Sequence, residues 1–163
     1  QSGQVKAHAY WLLKSEPEVF SISDLANAPR KTSGWEGVRN YMARNNLRAM
    51  MPGDRAFFYH SNAKPSGIAG VVEVVVGAYP DPTQFDPKDS HFDPKATPGM
   101  PIWFQVDVRL VDQFPRLLSL DELRGIPALK DMALFKFGRL SVSPVTPMEW
   151  TAVLRALGAG RMV

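Results

Sequence analysis

The 163-residue sequence contains no cysteine, and this absence excludes several kinds of site at once. Disulfides, thiolate metal ligands and cysteine nucleophiles cannot form. The sequence also lacks an apolar run approaching the roughly 18 residues that a membrane-spanning helix needs. It shows no charged-then-apolar leader either. We therefore predict a soluble, intracellular protein of the cytoplasm that has no membrane partner.

Catalytic and metal-binding patterns are equally scarce. The three histidines, His8, His60 and His91, show no ligand spacing to one another or to carboxylates. His60 and Ser61 are neighbours in a predicted strand, so their side chains point to opposite faces and cannot act as a nucleophile and its base. No glycine-rich phosphate-binding pattern is present. The aspartates of residues 80–101 lack the glycine and terminal glutamate of a calcium loop. We predict no metal and no cofactor, and nothing here points to an enzyme.

Length and composition fit a single domain with a sizeable core, since 45% of the residues are hydrophobic. We assign residues 8–163 to this domain. Residues 1–7 carry no pattern, and we interpret them as a disordered segment or a cloning remnant. The formal net charge is +3. Because four aspartates lie within residues 80–101, the rest of the surface should be more basic than the net charge suggests. Such a surface could bind a polyanion. The sequence does not set the oligomeric state.

Hydrophobic patterns predict an α+β fold with a central mixed sheet of about five or six strands. Residues 68–76 form an apolar run broken by one glutamate, which indicates a strand covered on both faces at the centre of the sheet. Residues 9–13, 54–61 and 139–143 predict further strands. Residues 103–111 alternate in polarity, and this pattern places Gln105, Asp107 and Arg109 on the solvent side.

Capping patterns predict where helices begin. Ser21 or Ser23 can cap a helix that ends before Pro29, and residues 40–50 predict a helix stopped by a Pro-Gly pair. Ser119 and Thr146 each begin a capping box. The last helix should bury one stripe of side chains, which consists of Trp150, Val153, Leu154 and Leu157.

The densest chemistry lies between residues 33 and 62. Trp35 stands between two glycines, whose missing side chains allow a tight turn that leaves one face of the indole accessible. The helix over residues 40–50 would carry Tyr41, Arg44, Asn45 and Arg48 on one face. Taken singly, these residues fit a core tryptophan and a solvated helix. Together, a stacking ring, guanidinium groups and amides are what recognition of an unpaired base requires.

Eight blocks of sequence, spread in order from residue 10 to residue 146, resemble the EVE domain family. Among them are YWLLKSEP at residues 10–17, WEGVRNY at 35–41, YHSN at 59–62 and RLSV at 139–142. The resemblance covers almost the whole chain. It implies a PUA-like fold, in which a curved mixed sheet closes into a pseudobarrel flanked by helices, and a relation to YTH domains, which bind methylated adenine. It also implies binding of a modified base, especially modified cytosine in DNA.

We therefore interpret the chain as a non-enzymatic reader that takes one modified base of DNA or RNA, with modified cytosine in DNA the first candidate, into a pocket. Trp35 would stack on the base and Tyr59 would line a wall. Three polar side chains would address the base edge, namely Ser15, Asn40 and Ser61. Three arginines would meet phosphate or the base edge, namely Arg39, Arg44 and Arg139. Extruding a base costs a few kcal/mol, which stacking at about 1–3 kcal/mol and phosphate contacts can offset.

Two alternatives stay open at this point. The same pocket could serve a small-molecule-binding or enzymatic domain, or residues 80–101 could present a surface for a protein partner. A loop of this length is usually functional or mobile.

Overall fold

The computed structural model describes residues 8–158, so the predicted separate segment at residues 1–7 lies outside the described residues. The strands are β1 (Tyr10–Ser15), β2 (Thr32–Gly34), β3 (Arg55–His60), β4 (Gly67–Pro80), β5 (Phe104–Ser119) and β6 (Val142–Val145). The α-helices are α1 (Ile22–Ala26), α2 (Tyr41–Ala49), α3 (Leu120–Arg124), α4 (Ala133–Lys136) and α5 (Pro147–Leu157). None of the helices within residues 8–158 is long and apolar enough to cross a membrane.

The six strands form one mixed sheet in the order β2-β5-β4-β3-β1-β6. β1 and β3 are parallel, whereas the other neighbouring pairs are antiparallel. The predicted apolar strand is β4, and it lies inside the sheet as predicted. Its pairing with β5 shifts register at four points. Irregularities of this kind increase local twist and bend the strands, so the sheet is curved and the α+β prediction is confirmed.

The two faces of the sheet carry two separate hydrophobic clusters. Because successive strand residues point to opposite faces, Leu13 and Phe58 join the first cluster, whereas Leu12 and Phe57 join the second. Trp150 of α5 stacks on Phe57 with ring centroids 3.9 Å apart. The buried stripe predicted for the last helix therefore packs on the second cluster, with its final leucine only partly buried.

Helix starts follow the predicted capping chemistry. The side chains of Ser21, Ser119 and Thr146 each accept a hydrogen bond from the backbone N–H three residues later, and the backbone N–H of each donates to the carboxylate of that later residue, which completes a capping box. Asn40 caps α2 through its carboxamide oxygen, which accepts from Ala43 N at 2.9 Å. These helices therefore begin where local sequence chemistry satisfies their free N–H groups.

The prediction of a strand over residues 103–111 was wrong in two respects. The strand continues to Ser119, because β4 extends far enough to pair with residues up to that point. Gln105 does not face solvent but is only 5% exposed. Its amide nitrogen donates to the Tyr79 hydroxyl of β4 at 2.6 Å, whereas its carboxamide oxygen is buried with no hydrogen-bond partner among the described residues. The strand predicted at residues 139–143 forms instead at Val142–Val145.

Candidate functional site

A site of two adjoining cavities opens where β1 and β3 end, between the Trp35 turn and residues 80–101. The part beside Trp35, here called the Trp35 compartment, has a volume of about 350 Å³. The part beside Arg139, the Arg139 compartment, has a volume of about 540 Å³. Both are bordered by Lys14, Ser15 and His91. The shared lining makes them two ends of one site.

Trp35 is a core side chain that borders this cavity. The residue is 6% exposed, and Phe58 meets its ring edge-to-face, with centroids 5.3 Å apart at 90°. Phe20 makes a second edge contact at 6.3 Å. The prediction of an open indole face is therefore corrected, because aromatic neighbours hold the ring and leave only part of it toward the cavity.

Lys14 and Ser15 end β1 at the point where the two compartments meet. The Ser15 hydroxyl donates to the Phe20 carbonyl at 2.6 Å, so toward a ligand this oxygen can only accept. The Lys14 ammonium donates to the Gly138 carbonyl at 2.7 Å. Burial lowers the pKa of Lys14, because partial removal from water disfavours the cation. The junction therefore offers a fixed acceptor beside a positive charge.

Ser61 and Arg139 border the Arg139 compartment. Ser61 N donates to the Ser15 carbonyl at 2.9 Å, and this bond keeps the ends of the parallel strands together. Arg139 is exposed at the edge of the cavity. Of the eight predicted site residues, the structure thus brings Ser15, Trp35, Ser61 and Arg139 to these two adjoining compartments.

Tyr59 borders neither compartment, although the Lys14 ammonium lies 5.8 Å from its ring centre. It is 3% exposed and belongs to the cluster on the opposite face of the sheet from Trp35, where burial raises the pKa of its hydroxyl. Strand alternation explains the placement, because Phe58 already occupies the Trp35 side. The alternation does not apply to Ser61, because β3 ends at His60, one residue earlier. The predicted wall position of Tyr59 is therefore not what the structure shows.

Arg44 and Asn40 also lie outside the two compartments. The Arg44 guanidinium donates to the Ile102 carbonyl at 3.1 Å and to the Asn45 carboxamide oxygen, and it lies 5.0 Å from the ring centre of Tyr41. Asn40 borders a third pocket, which shares Gly138 and Arg139 with the Arg139 compartment. The helix face predicted from spacing exists, but it packs on residues 102–104, where β5 begins.

Arg39 is committed to internal hydrogen bonds. Each of its five N–H groups donates to an oxygen of the protein at 2.8 to 3.1 Å, and the acceptors are the carbonyls of Val38 and His91, the Asp81 carboxylate and the Thr83 hydroxyl. A guanidinium has five donors, so none is left for a phosphate. The predicted ligand contact of Arg39 is corrected to a structural one.

Arg39, Asp81 and Thr83 form a hydrogen-bonded group, here called the clamp, and the Asp81 carboxylate is its buried acceptor. Its side chain is fully buried, and it accepts from Gly37 N and Thr83 N, each at 2.8 Å. Burial alone would raise its pKa, yet the hydrogen bonds from Thr83, Gly37 and Arg39 together hold the pKa below its ordinary value. The clamp ties residues 81–91 to the Trp35 turn.

His91 is a cavity residue that the sequence did not indicate. Its carbonyl is held by Arg39, and its ring lies 3.0 Å from where a Cβ on Gly37 would stand. Gly37 has φ +85°, so the turn requires glycine both for conformation and for space. Asp89 lies 3.0 Å from His91 Nδ1. The sequence carries no signal for His91, because a polar residue in a loop belongs to no periodic pattern. The hydrogen bonds of Arg39 and Asp81 bring this loop to the cavity.

His60 has no catalytic arrangement with Ser61. Its Nε2 accepts from Ile22 N at 3.1 Å, which makes it an unprotonated nitrogen. Burial lowers the pKa of this imidazole, as expected for a ring whose charged form is poorly solvated. Its role is to hold the start of α1.

A curved mixed sheet with a polar and aromatic cavity at the ends of β1 and β3 defines a PUA-like domain. The chain matches the EVE domain family model over residues 9–156. It therefore belongs to the EVE domain family, as the sequence resemblance predicted.

Relatives of known sequence agree with this assignment. Thymocyte nuclear protein 1 of Gallus gallus is 48% identical over 165 residues, which cover 90% of this chain and 68% of the relative. The Homo sapiens protein of the same name is 46% identical, with 90% of this chain and 72% of the relative covered.

Solved structures show the same architecture. A complex of human THYN1 with 5-methylcytosine-containing DNA superposes with a TM-score of 0.89 at 44% identity, covering 95% of this chain and 99% of that one. A hypothetical protein from Leishmania major gives 0.89 at 52% identity, covering 93% and 95%. The YTH domain of Zygosaccharomyces rouxii MRB1, solved with N6-methyladenosine RNA, gives 0.53 at 16% identity, covering 94% and 89%, and so shares the fold alone.

Proposed function

We propose that this chain is a non-enzymatic reader that binds nucleic acid and takes one modified base into the cavity beside Trp35. The observation that carries the proposal is that an aromatic wall, a fixed acceptor and cationic groups border two adjoining compartments, which share Lys14 and Ser15. A relative at 44% identity was solved with DNA that contains 5-methylcytosine. That complex makes modified cytosine in DNA the first base to test.

The polarity of the cavity suits a cytosine edge. The oxygen of Ser15 can only accept, because its proton is given to Phe20, and the exocyclic amino group of cytosine is a donor. Trp35 supplies the aromatic wall, and Ser61 borders the Arg139 compartment next to Ser15. Lys14 and Arg139 supply positive charge where the sugar-phosphate chain would enter, since phosphate contacts contribute much of nucleic-acid affinity.

A fluorescence-polarisation comparison tests this proposal. Matched oligonucleotides that carry cytosine or 5-methylcytosine, as DNA and as RNA, are titrated over a series of salt concentrations. The probe that carries the methylated base should bind more tightly, and its affinity should fall steeply with salt. Equal affinity for modified and unmodified probes would reject the reader function.

Charge-matched variants sharpen the test. Arg139→Gln should reduce the slope of log affinity against log salt by about 0.7 to 0.9, the value for one phosphate contact. Arg155→Gln removes the same charge from an exposed position on α5 and should leave the slope unchanged. Equal effects of the two variants would mean that net charge, rather than a contact at the cavity, drives binding.

The alternatives give different outcomes. A neutral metabolite in the same cavity would bind with little response to salt, and a catalysed reaction would appear as turnover of that metabolite. A protein partner of residues 80–101 would lose affinity when that segment is changed but would keep it when residues of the cavity are changed.

The predicted cytoplasmic location remains a prediction, and the names of the relatives make the nucleus an equal candidate.

A further inference from the structure

A third pocket lies beside the cavity and is not explained by the binding of one base. It has a volume of about 330 Å³, close to the roughly 350 Å³ of the Trp35 compartment. It is bordered by Met42, Phe137 and Asn40, and it shares Gly138 and Arg139 with the Arg139 compartment. Arg139 thus borders both the Arg139 compartment and the third pocket.

Two large apolar side chains are exposed at this pocket. Phe137 is 50% exposed and Met42 is 54% exposed, whereas most aromatic residues of the described chain are buried or partly buried. The third pocket therefore presents apolar surface beside an exposed guanidinium. An aromatic ring next to a cation is the combination that proteins use to stack a base and to hold the adjoining phosphate.

We propose that the third pocket binds the nucleotide next to the everted base, with its base against Phe137 and Met42 and the linking phosphate at Arg139. The inference rests on the proposed function, because a flanking nucleotide can be bound here only if the modified base of the same strand occupies the cavity beside Trp35. Because Arg139 borders both the third pocket and the Arg139 compartment, the occupant that we propose is a nucleotide of the same strand. The domain then recognises a modified base together with one flanking base.

Asn40 gives this pocket a means of reading the flanking base. Its carboxamide oxygen is used by Ala43 N as the cap of α2, so the amide NH₂ is the part left for a ligand. Amide side chains are common partners of base edges. Asn40 therefore acts on the flanking base rather than on the base beside Trp35.

The test uses Phe137→Ala and two short single-stranded DNA probes with one 5-methylcytosine each. One probe has normal flanking nucleotides, and the other has abasic residues on both sides of the modified base. Fluorescence polarisation measures the four affinities. Phe137→Ala should weaken binding of the normal probe roughly 5- to 150-fold, the range for loss of one base-stacking ring. Abasic flanks should weaken wild-type binding by a similar factor, and Phe137→Ala should then have no further effect.

Controls separate this effect from unfolding. Met148→Ala removes a 78% exposed side chain on α5 and should bind both probes like the wild type. Asn40→Ser keeps a good helix cap but removes the amide, so it should weaken only the normal probe. Because this second variant leaves the Phe137 side chain in place, it decides the matter if Phe137→Ala fails to fold.

The outcomes are distinguishable. Equal wild-type affinity for the two probes, or an equal effect of Phe137→Ala on both, would overturn the flanking-nucleotide site while leaving the reader function intact. No binding of the wild type to the normal probe, or equal binding to a cytosine version of it, would overturn the proposed function and this inference with it.

Discussion

Replacing Arg39 by alanine distinguishes a structural clamp from a phosphate contact. The guanidinium bonds Asp81, Thr83 and the His91 carbonyl, and its side chain is 21% exposed while that of Asp81 is fully buried. Arg39→Ala leaves the Asp81 carboxylate buried without its cation. It also frees the segment that carries His91. We expect the protein to lose stability and the cavity to lose one wall.

The magnitude follows from the burial of the pair. Removing one partner of a buried ion pair costs about 3–5 kcal/mol, and the partial exposure of Arg39 favours the lower end. With a urea slope of about 2 kcal/mol/M, a loss of about 3 kcal/mol lowers the denaturation midpoint by about 1.5 M. Arg39→Lys keeps the charge but not the planar fork of donors, so it should fall between alanine and the wild type.

Urea denaturation followed by fluorescence measures these shifts. Arg155→Ala is the control, since an exposed arginine usually contributes within about 0.5 kcal/mol. A double-mutant cycle with Asp81→Asn should show coupling between the two residues, because they share a hydrogen bond of 3.1 Å. If Arg39→Ala keeps wild-type stability yet lowers oligonucleotide affinity and its salt slope, then Arg39 is a phosphate ligand and the clamp argument is wrong.

Three further predictions concern the same region. Trp35→Ala and Trp150→Ala should each lower the free energy of unfolding by about 3–5 kcal/mol, because both truncate a core side chain. Only Trp35→Ala should also weaken binding of the modified oligonucleotide, by about 1–3 kcal/mol. If Trp35→Ala leaves that affinity unchanged, then Trp35 has a structural role alone. Because the folded-state pKa of Asp81 lies below its ordinary 3.8, its contribution is complete above that value and is lost as pH falls through the folded pKa. Melting temperatures from pH 7 to pH 2 should therefore fall more steeply for the wild type than for Asp81→Asn, and parallel curves would contradict this. Gly37→Ala, at φ +85°, should cost at least about 1–2 kcal/mol, whereas Gly99→Ala, where a Cβ meets open space, should be close to neutral by the same measurement.

The sequence by itself determined the elements that depend on local chemistry. The capping boxes at Ser119 and Thr146, the buried stripe of α5 and the central position of β4 were all predicted from neighbours within a few residues. Such features need no knowledge of distant contacts, because periodicity and end caps act within one or two turns or along one strand. The family resemblance then supplied the PUA-like fold that periodicity could not.

Only the tertiary structure decided which side chains reach the cavity. Arg39 looked like a ligand because a guanidinium suits phosphate and protein oxygens equally well, and its acceptors at residues 81–91 lie more than forty positions away in the chain. Tyr59 was assigned to the cavity by proximity in sequence, whereas its strand parity sends it to the other hydrophobic cluster. His91 reaches the cavity because a buried carboxylate and a glycine turn fix the loop. Long-range hydrogen bonds and sheet faces are set by which strands pair, and a single sequence does not display that pairing.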